Sequence, residues 1–197
     1  NITILKNTLV TTYNFTNHLI ALEDKFAGKK IDLNKSELTL HKIRTSNTII
    51  ANGHIERFIS FRNNDLPGVM LASSFEKYIH RYGVVPEKEP VIFTNNSSSL
   101  SLLKTLISLG CKPKAYVDSR KKDNIETEIK NIIKDKDITF FSDAEIEGCD
   151  GNKKVETITI RQGKSFTQLK SSMLCVSGGY NPDIHLFTQS KGCLLYT

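Results

Sequence analysis

The sequence predicts an α/β protein that combines a parallel, doubly wound sheet with antiparallel β-meanders. Between residues 91 and 141, short apolar runs alternate with segments of helical periodicity in the order β-α-β-α-β. This order makes the strands parallel, with a helix in each crossover. Segments 9–43 and 155–169 instead show β-branched residues and two-residue alternation, which is typical of antiparallel strands. A chain of 197 residues can hold one domain or two small ones.

The first segment predicts a small antiparallel meander, followed by a short buried strand that runs into Asn52 and Gly53. Gly28–Lys30 is typical of a hairpin turn. The strands predicted in this segment are Ile2–Leu5, Leu9–Tyr13, Glu37–Ile43 and Thr48–Ala51. The adjacent charged residues Glu56 and Arg57 follow, and they can form ion pairs that fix a crossover between two domains. Asp65–Gly68 predicts a turn.

After residue 70 the apolar period becomes helical, and glycines mark where helices end. Gly83 ends a helix whose apolar face carries Leu71, Phe75, Tyr78, Ile79 and Tyr82. In the parallel unit we predict strands at 91–94, 114–117 and 138–141, and helices at 100–109 and 125–133. A hairpin of Val155–Ile160 and Ser165–Leu169 then turns at Gln162–Gly163, and Met173–Val176 returns as a last core strand.

The loop after the first parallel strand is where a nucleotide-binding α/β protein carries its glycine-rich phosphate loop. Here that loop is Thr94–Ser98, and without glycine its backbone cannot approach a pyrophosphate closely. Asp118 ends the next strand, where a ribose-binding carboxylate would lie; we interpret it as a solvated strand-end residue. Asn95 and Asn96 are interpreted as turn and cap residues, or alternatively as amides that face a ligand or partner. The order is Rossmann-like, but the phosphate site is degenerate.

The most informative stretch is Val176–Gln189, a buried strand, a glycine turn and a proline-led return. It contains no nucleophile–base pair and no metal-ligand spacing, so we predict neither a catalytic residue nor a metal site. Its backbone is suited to lie against a flat ligand such as a nucleotide. We therefore predict a binding element.

Composition excludes several other functions. Hydrophobic residues make up 39% of the chain and charged residues 24%, as in globular proteins. The net charge of +6 comes from scattered lysines without interleaved aromatic residues, which disfavours nucleic-acid binding. No apolar run approaches the roughly 18 residues of a membrane helix.

The four cysteines have neither zinc nor CxxC spacing, so we predict reduced thiols and a cytoplasmic protein. They are Cys111, Cys149, Cys175 and Cys193. Cys149, beside Gly148 and Asp150, is predicted in a surface loop. Because the chain begins with Asn1 rather than Met and ends at Thr197 without a terminal helix or polar tail, we expect a fragment of a longer polypeptide.

Five motifs occur in a fixed order along the chain: Ala51–Arg57, Asn64–Met70, Arg81–Val84, Phe93–Asn96 and Ser177–Leu186. Their order and spacing resemble the alpha subunit of heterotetrameric sarcosine oxidase, and the resemblance runs from about residue 1 to about residue 192. Three positions depart from that family's pattern: Asn52 stands where threonine is usual, Phe58 where proline is usual, and Tyr180 where tryptophan or phenylalanine is common. These departures indicate a divergent member with the same fold.

The resemblance implies the disulfide-reductase type of flavoprotein fold, with two dinucleotide-binding domains. Residues 1–67 and 172–197 would be parts of the first, discontinuous domain, and residues 68–171 the inserted second domain. The glycine-rich fingerprint of the first domain would precede residue 1. NAD would bind in the first domain, with FAD and FMN elsewhere in a complex with beta, gamma and delta subunits. A downstream domain would bind tetrahydrofolate, which receives the methyl carbon when sarcosine is oxidised to glycine with peroxide formation.

Carried over residue by residue, the resemblance implies NAD contacts at Asn181, Leu186 and Thr188, and a backbone contact to adenine near Val10. The segment Ala51 to Gly53 would lie beside the same cofactor by analogy of fold. The amides after Pro182 would open a helix whose start favours a phosphate or a polarised ring edge. His185 would then hydrogen-bond near the ligand, or else be a packed core histidine.

The sequence is also compatible with other functions. One alternative is a related oxidase or dehydrogenase that acts on dimethylglycine, proline or an opine. A complete small reductase that transfers hydride between flavin and nicotinamide is a second class, although the chain lacks GxGxxG and CxxC. A scaffold with a vestigial nucleotide site is a third. The residues alone do not separate NAD from FAD in the first domain.

Overall fold

The computed structural model describes residues 2–14, 16–25 and 38–190. Its contacts divide the chain into two compact units. The first unit is Asn1–His54 with Pro182–Thr197, and the second unit is Ile55–Asn181. The division into dinucleotide-binding domains at residues 67 and 171 stays a prediction.

The first unit contains a three-stranded antiparallel meander of β1 (Thr8–Asn14), β2 (His18–Asp24) and β3 (Leu38–Arg44). The predicted meander is therefore confirmed, but its strands differ in part. Ile2–Leu5 is not a strand, and Ile2 is 92% exposed. Strand β2 was not predicted, because its apolar residues are contiguous and show no clear alternation. The predicted turn at Gly28–Lys30 lies outside the described residues.

Residues 48–51 are wrongly predicted as a buried strand. They adopt no regular structure, and Ile49 is 94% exposed. The strand begins only at β4 (His54–Glu56), where a partner strand lies alongside. A β-branched run without a neighbouring strand leaves its backbone groups unpaired, so propensity alone does not make it a strand.

The second unit is built on a five-stranded parallel sheet, and the predicted β-α-β-α-β order is confirmed. Its elements are β5 (Val69–Leu71), α1 (Ala72–Tyr82), β6 (Val91–Thr94), α2 (Leu100–Ser108), β7 (Ala115–Asp118), α3 (Thr127–Asp135), β8 (Thr139–Ser142), β9 (Glu145–Asp150), β10 (Thr157–Gln162), β11 (Ser165–Lys170) and β12 (Leu174–Ser177). The order of strands in the parallel sheet is β5-β12-β6-β7-β8, and β9, β10 and β11 form a separate antiparallel sheet. A short 3₁₀ helix spans Lys122–Asn124.

The parallel sheet is covered on both faces, because alternate residues of each strand point to opposite sides. Ile92, Tyr116 and Cys175 belong to a core cluster with the three helices, where Phe75, Leu103, Leu106 and Ile129 are fully buried. Phe93, Val117 and Val176 belong to a second cluster with the antiparallel sheet, where Ile158 and Ile160 are buried. Each face therefore has its own apolar core.

Helix α1 is fixed at both ends. At its start, Ser73 N–H donates to Glu56 Oε2 at 2.8 Å, so the largely buried Glu56 ties β4 to the helix. At its end, Gly83 adopts φ +65° and its N–H donates to Ile79 O at 3.0 Å. The predicted glycine stop is confirmed. Tyr82, predicted on the apolar face, is instead 60% exposed.

Cys149 is not in a surface loop. It is fully buried in β9, where its N–H donates to Arg62 O at 3.0 Å. Asn63 Nδ2 also donates to Cys149 O at 2.9 Å. The neighbouring glycine and aspartate suggested a turn, but the strand is formed by pairing with β10 across the antiparallel sheet. Cys111, Cys149 and Cys175 are free thiols, and Cys193 lies outside the described residues.

Candidate functional site

The strand that follows the glycine turn carries the chain from one unit into the other. Tyr180–Pro182 forms β13, which pairs with β4. Just before it, Gly178 N–H donates to Arg57 O at 2.8 Å, and Arg57 N–H donates to Gly179 O at 2.7 Å. A Cβ at Gly178 would lie 2.7 Å from Arg57 O, so this close backbone approach requires glycine.

The predicted segment Ala51 to Gly53 is held against the chain that follows Pro182. Asp183 N–H donates to Gly53 O at 3.1 Å, and Gly53 adopts φ +78° with open space around its Cβ position. Ala51 is exposed. The structure therefore brings these two predicted contact segments together in the first unit.

A short helix opens after Pro182, as predicted. This helix, α4, spans His185–Gln189. The carboxylate of Asp183 accepts from His185 N–H at 3.2 Å. The first amide of the helix is therefore already bonded to a negatively charged side chain, which disfavours a phosphate bound at the start of α4. His185 is exposed, so the alternative that it is a packed core histidine is wrong.

The predicted contact residues of the return segment, which we define as Asn181–Thr188, present their side chains differently. Asn181 and Thr188 are exposed, whereas Leu186 is half-buried. The Thr188 hydroxyl lies 3.0 Å from His185 O and 3.2 Å from Ile184 O, so it can donate within its own helix. Its oxygen keeps acceptor capacity for a ligand.

Val10 lies in β1, half-buried and paired with Ala21. Helix α4 contacts this strand, since Tyr13 N–H donates to Gln189 Oε1 at 2.9 Å. Val10 and Thr188 therefore belong to two elements, β1 and α4, that pack on each other in the first unit. Their contact with a nucleotide stays a prediction.

A second group of polar residues lies where the strands of the parallel sheet end, and we name it the strand-end cluster. Its members are Thr94, Asn96, Ser97, Asp118, Arg120, Glu126 and Ser177. Thr94 and Asn96 both bond to the carbonyl of Ser177, at 3.0 Å from Oγ1 and 3.1 Å from Nδ2. Asn96 Oδ1 also accepts from Ser98 N–H at 2.8 Å. Asn96 therefore caps the loop, whereas Asn95 is exposed.

Asp118 is completely buried, so its interpretation as a solvated residue is wrong. It accepts from Arg120 at Nε (3.1 Å), at NH2 (2.9 Å) and at the backbone N–H (2.9 Å). These bonds replace the water that a strand-end carboxylate would otherwise need. The hydrogen bonds with Asp118 raise the pKa of Arg120 above its ordinary value.

Arg120 also joins the loop after β6 to the chain before α3. Its NH1 lies 3.1 Å from Ser97 Oγ, and its NH2 lies 3.4 Å from Glu126 Oε2. Ser97 donates its hydroxyl to Glu126 Oε1. This hydrogen bond, with a smaller contribution from Arg120, lowers the pKa of Glu126 below its usual value. Sequence reasoning missed Arg120 and Glu126; the signal was a cation two residues after the strand-end aspartate.

Several cavities lie among the described residues, and Asn95, whose amide was one alternative for a ligand contact, lines one of them. One of about 320 Å³ in the first unit is lined by Asn14, His18, Leu19, Ile20, Lys42, Ile43 and Arg44. Another of about 250 Å³ in the second unit is lined by Ile59, Ser60, Phe93, Asn95, Ser119, Glu145 and Ile146. Neither was predicted, because both are assembled from segments far apart in sequence.

The described residues contain no group of three or more His, Cys, Asp or Glu side chains placed to hold a metal ion. Within the same part of the chain, no helix is long and apolar enough to cross a membrane. Burial raises the pKa of the Cys149 thiol to about 11 and that of Cys175 well above its ordinary value. Both thiols are therefore unreactive packing groups.

No family model matches the chain. It is 32% identical over 153 residues to sarcosine oxidase subunit alpha of Rhizobium meliloti (strain 1021), covering 78% of the chain and 15% of the relative. It is 29% identical over 160 residues to the same subunit of Corynebacterium sp. (strain U-96), covering 77% of the chain and 16% of that relative. The resemblance read from the five motifs is confirmed. The chain spans about a sixth of the length of these curated relatives.

Among solved structures, thioredoxin reductase of T. acidophilum matches 91% of the chain with a TM-score of 0.63 and 13% identity, and the chain covers 54% of it. A NAD-dependent persulfide reductase from A. fulgidus matches 97% of the chain with a TM-score of 0.63 and 15% identity, and the chain covers 34% of it. L-proline dehydrogenase from P. horikoshii matches 96% of the chain with a TM-score of 0.57 and 18% identity, and the chain covers 31% of it. The predicted disulfide-reductase type of flavoprotein fold is thereby confirmed.

Proposed function

We propose that this chain is the nucleotide-binding region of a flavoprotein oxidoreductase of the sarcosine oxidase alpha type, and that its nucleotide is NAD. The observation that carries the proposal is the 32% identity over 153 residues to sarcosine oxidase subunit alpha. The complex would oxidise sarcosine to glycine with dioxygen as the electron acceptor, which is reduced to hydrogen peroxide, and the methyl carbon would pass to tetrahydrofolate. We propose beta, gamma and delta subunits as its partners, FAD and FMN as flavins of the complex, and the cytoplasm as its location.

The residues present fit one side of a dinucleotide. Gly53 has open space where a side chain would lie, and Ala51 is small and exposed, so a flat ring can approach the backbone there. Asn181 and Thr188 add exposed polar groups, and Leu186 adds an apolar contact. These residues offer groups for a base or a ribose, and Asp183 disfavours a phosphate at the start of α4. The pyrophosphate must therefore be held by other groups.

Catalysis is not assigned to this chain. When bound, nicotinamide or flavin supplies the hydride chemistry, and the residues named above bind and orient the ring. A second candidate, a subunit of a related amine, proline or opine dehydrogenase, is supported by the fold shared with L-proline dehydrogenase. Sarcosine and proline are both secondary amines, so the same type of nucleotide-binding region would serve either.

The test is to purify the full-length protein with its partner subunits, release bound small molecules with acid and identify them by mass spectrometry. We expect one NAD per chain. A preparation that is active but carries no NAD would contradict the proposal and favour a scaffold. Turnover with sarcosine, dimethylglycine, proline and an opine then distinguishes the candidate substrates.

Variants sharpen the site assignment. Asn181→Ala and Thr188→Ala should each weaken NAD binding about tenfold, the effect of one lost hydrogen bond to a ligand. Thr167→Ala is the matched control, since Thr167 is an exposed threonine on β11 in the second unit. If the Thr167 variant weakens binding as much as the other two, the assignment to the return segment is wrong.

A further inference from the structure

The carboxylate of Glu126 lies against the loop that follows β6. Ser97 Oγ donates to its Oε1, and Arg120 NH1 lies 3.5 Å from the same oxygen. Arg120 NH2 lies 3.4 Å from Oε2. A negative charge is thus fixed at the edge of the sheet where α/β nucleotide-binding proteins place a phosphate.

Several donors that a phosphate could use at this edge are already bonded within the chain. Arg120 directs Nε and NH2 to Asp118, and NH1 to Ser97. The Ser98 N–H donates to Asn96 Oδ1, and the Leu100 N–H donates to Ser97 O. A second anion would be repelled by the carboxylate of Glu126 and would find few free donors.

We propose that Glu126 is an internal substitute for a phosphate, which closes the strand-end cluster of the second unit to pyrophosphate-containing ligands. The Glu126 carboxylate takes the place that a phosphate of a bound nucleotide would occupy. It accepts a hydrogen bond from the Ser97 hydroxyl and pairs with the Arg120 guanidinium. The inference goes beyond the proposed function and does not depend on which nucleotide the protein uses. It predicts that removing the carboxylate opens an anion site.

The experiment compares the full-length wild-type protein with Glu126→Gln and Glu126→Ala. Glu128→Gln and Glu128→Ala are the matched controls, because Glu128 lies two residues away on α3 and pairs with Lys104 at 2.7 Å. The controls therefore change net charge equally without touching Ser97 or Arg120. Inorganic pyrophosphate and ADP are titrated by calorimetry at low salt, and hydrogen exchange of residues 95–104 reports where they bind.

Both Glu126 variants should bind pyrophosphate more tightly than the wild type, by about tenfold or more. The reason is that the negative carboxylate of Glu126, which repels the pyrophosphate anion at close range, has been removed. Exchange in residues 95–104 should slow on binding, and the Glu128 variants should behave as the wild type. If the wild type binds equally well at 95–104, or if neither Glu126 variant gains affinity, the proposal is overturned. The isosteric Glu126→Gln carries the test if the alanine variant fails to fold by circular dichroism.

Discussion

The strand-end cluster and the return segment look alike in sequence, since short polar residues follow a buried strand in both. In the structure they differ. Asp118 in the cluster is fully buried and bonded by Arg120, whereas Asn181 and Thr188 in the return segment are exposed. A polar residue at a strand end is available to a ligand only where the fold has left its hydrogen-bonding capacity unused. The return segment is therefore the better candidate for a nucleotide contact.

Two aspartates test this difference directly, because each accepts a backbone N–H two residues ahead. Asp118 Oδ1 accepts from Arg120 at 2.9 Å, and Asp183 Oδ1 accepts from His185 at 3.2 Å. Asp118→Ala should lower the free energy of unfolding by about 3 kcal/mol, since it leaves a guanidinium without its buried partner. Asp183→Ala should lower it by less than about 1 kcal/mol.

Urea denaturation followed by circular dichroism measures both variants. If both variants lose the same unfolding free energy, the hydrogen bond from the backbone N–H two residues ahead, which both aspartates accept, accounts for most of the loss. In that case the buried ion pair with Arg120 would not be what separates the two regions.

Two tyrosines extend the comparison to neutral groups. The Tyr116 hydroxyl lies 2.8 Å from Ser99 Oγ in the buried core of the second unit, and burial raises the pKa of Tyr116. Tyr13 donates to Asn17 Oδ1 at 2.9 Å in the first unit, in a less buried position. Tyr116→Phe should cost about 1.5 kcal/mol, because the Ser99 hydroxyl is left unsatisfied. Tyr13→Phe should cost about 0.5 kcal/mol, because water can reach Asn17.

Thermal unfolding of the two phenylalanine variants provides the measurement. A Tyr13 variant that loses as much stability as the Tyr116 variant would show that the first unit is as tightly closed as the second.

The parallel sheet was predictable because its signals are local. A change from two-residue to helical spacing marks each strand and helix, and Gly83 and Gly110 end helices in the left-handed conformation. The predicted strand at 91–94 coincides with β6. By contrast, β2 and β9 were missed, since one is contiguously apolar and the other carries charges on alternate residues. Their pairing depends on partners that the local pattern does not reveal.

The site was predictable only in part, for the same reason. Gly53 and Asp183 lie close together because their segments, about 130 residues apart along the chain, pair with each other. The motifs identified both segments but did not show that they are neighbours. Burial of Asp118 was missed because it depends on Arg120 and on the loop that follows β8, where Ala144 N–H donates to Asp118 O. A strand-end aspartate is solvated or buried according to what folds over it, and no spacing rule states that.

The smallest expected effect concerns pH and isolates the Glu126 hydrogen bond. The folded-state pKa of Glu126 is lowered, first by Ser97 and then by Arg120. A lowered pKa means that the carboxylate stabilises the fold above its unfolded pKa of about 4.3 and loses that contribution as the pH falls through the folded value. Because the side chain is 44% exposed, the contribution should be only about 0.5 kcal/mol.

The difference in unfolding free energy between the wild type and Glu126→Gln should therefore be largest near pH 6 and shrink between about pH 5 and pH 3. Ser97→Ala removes the main cause of the lowered pKa, so the same comparison in that background should give a flatter pH dependence. If the pH dependence is unchanged in the Ser97 background, the hydroxyl does not hold the carboxylate. Glu126 would then be an ordinary surface residue, and the strand-end cluster would be no more closed to ligands than the return segment.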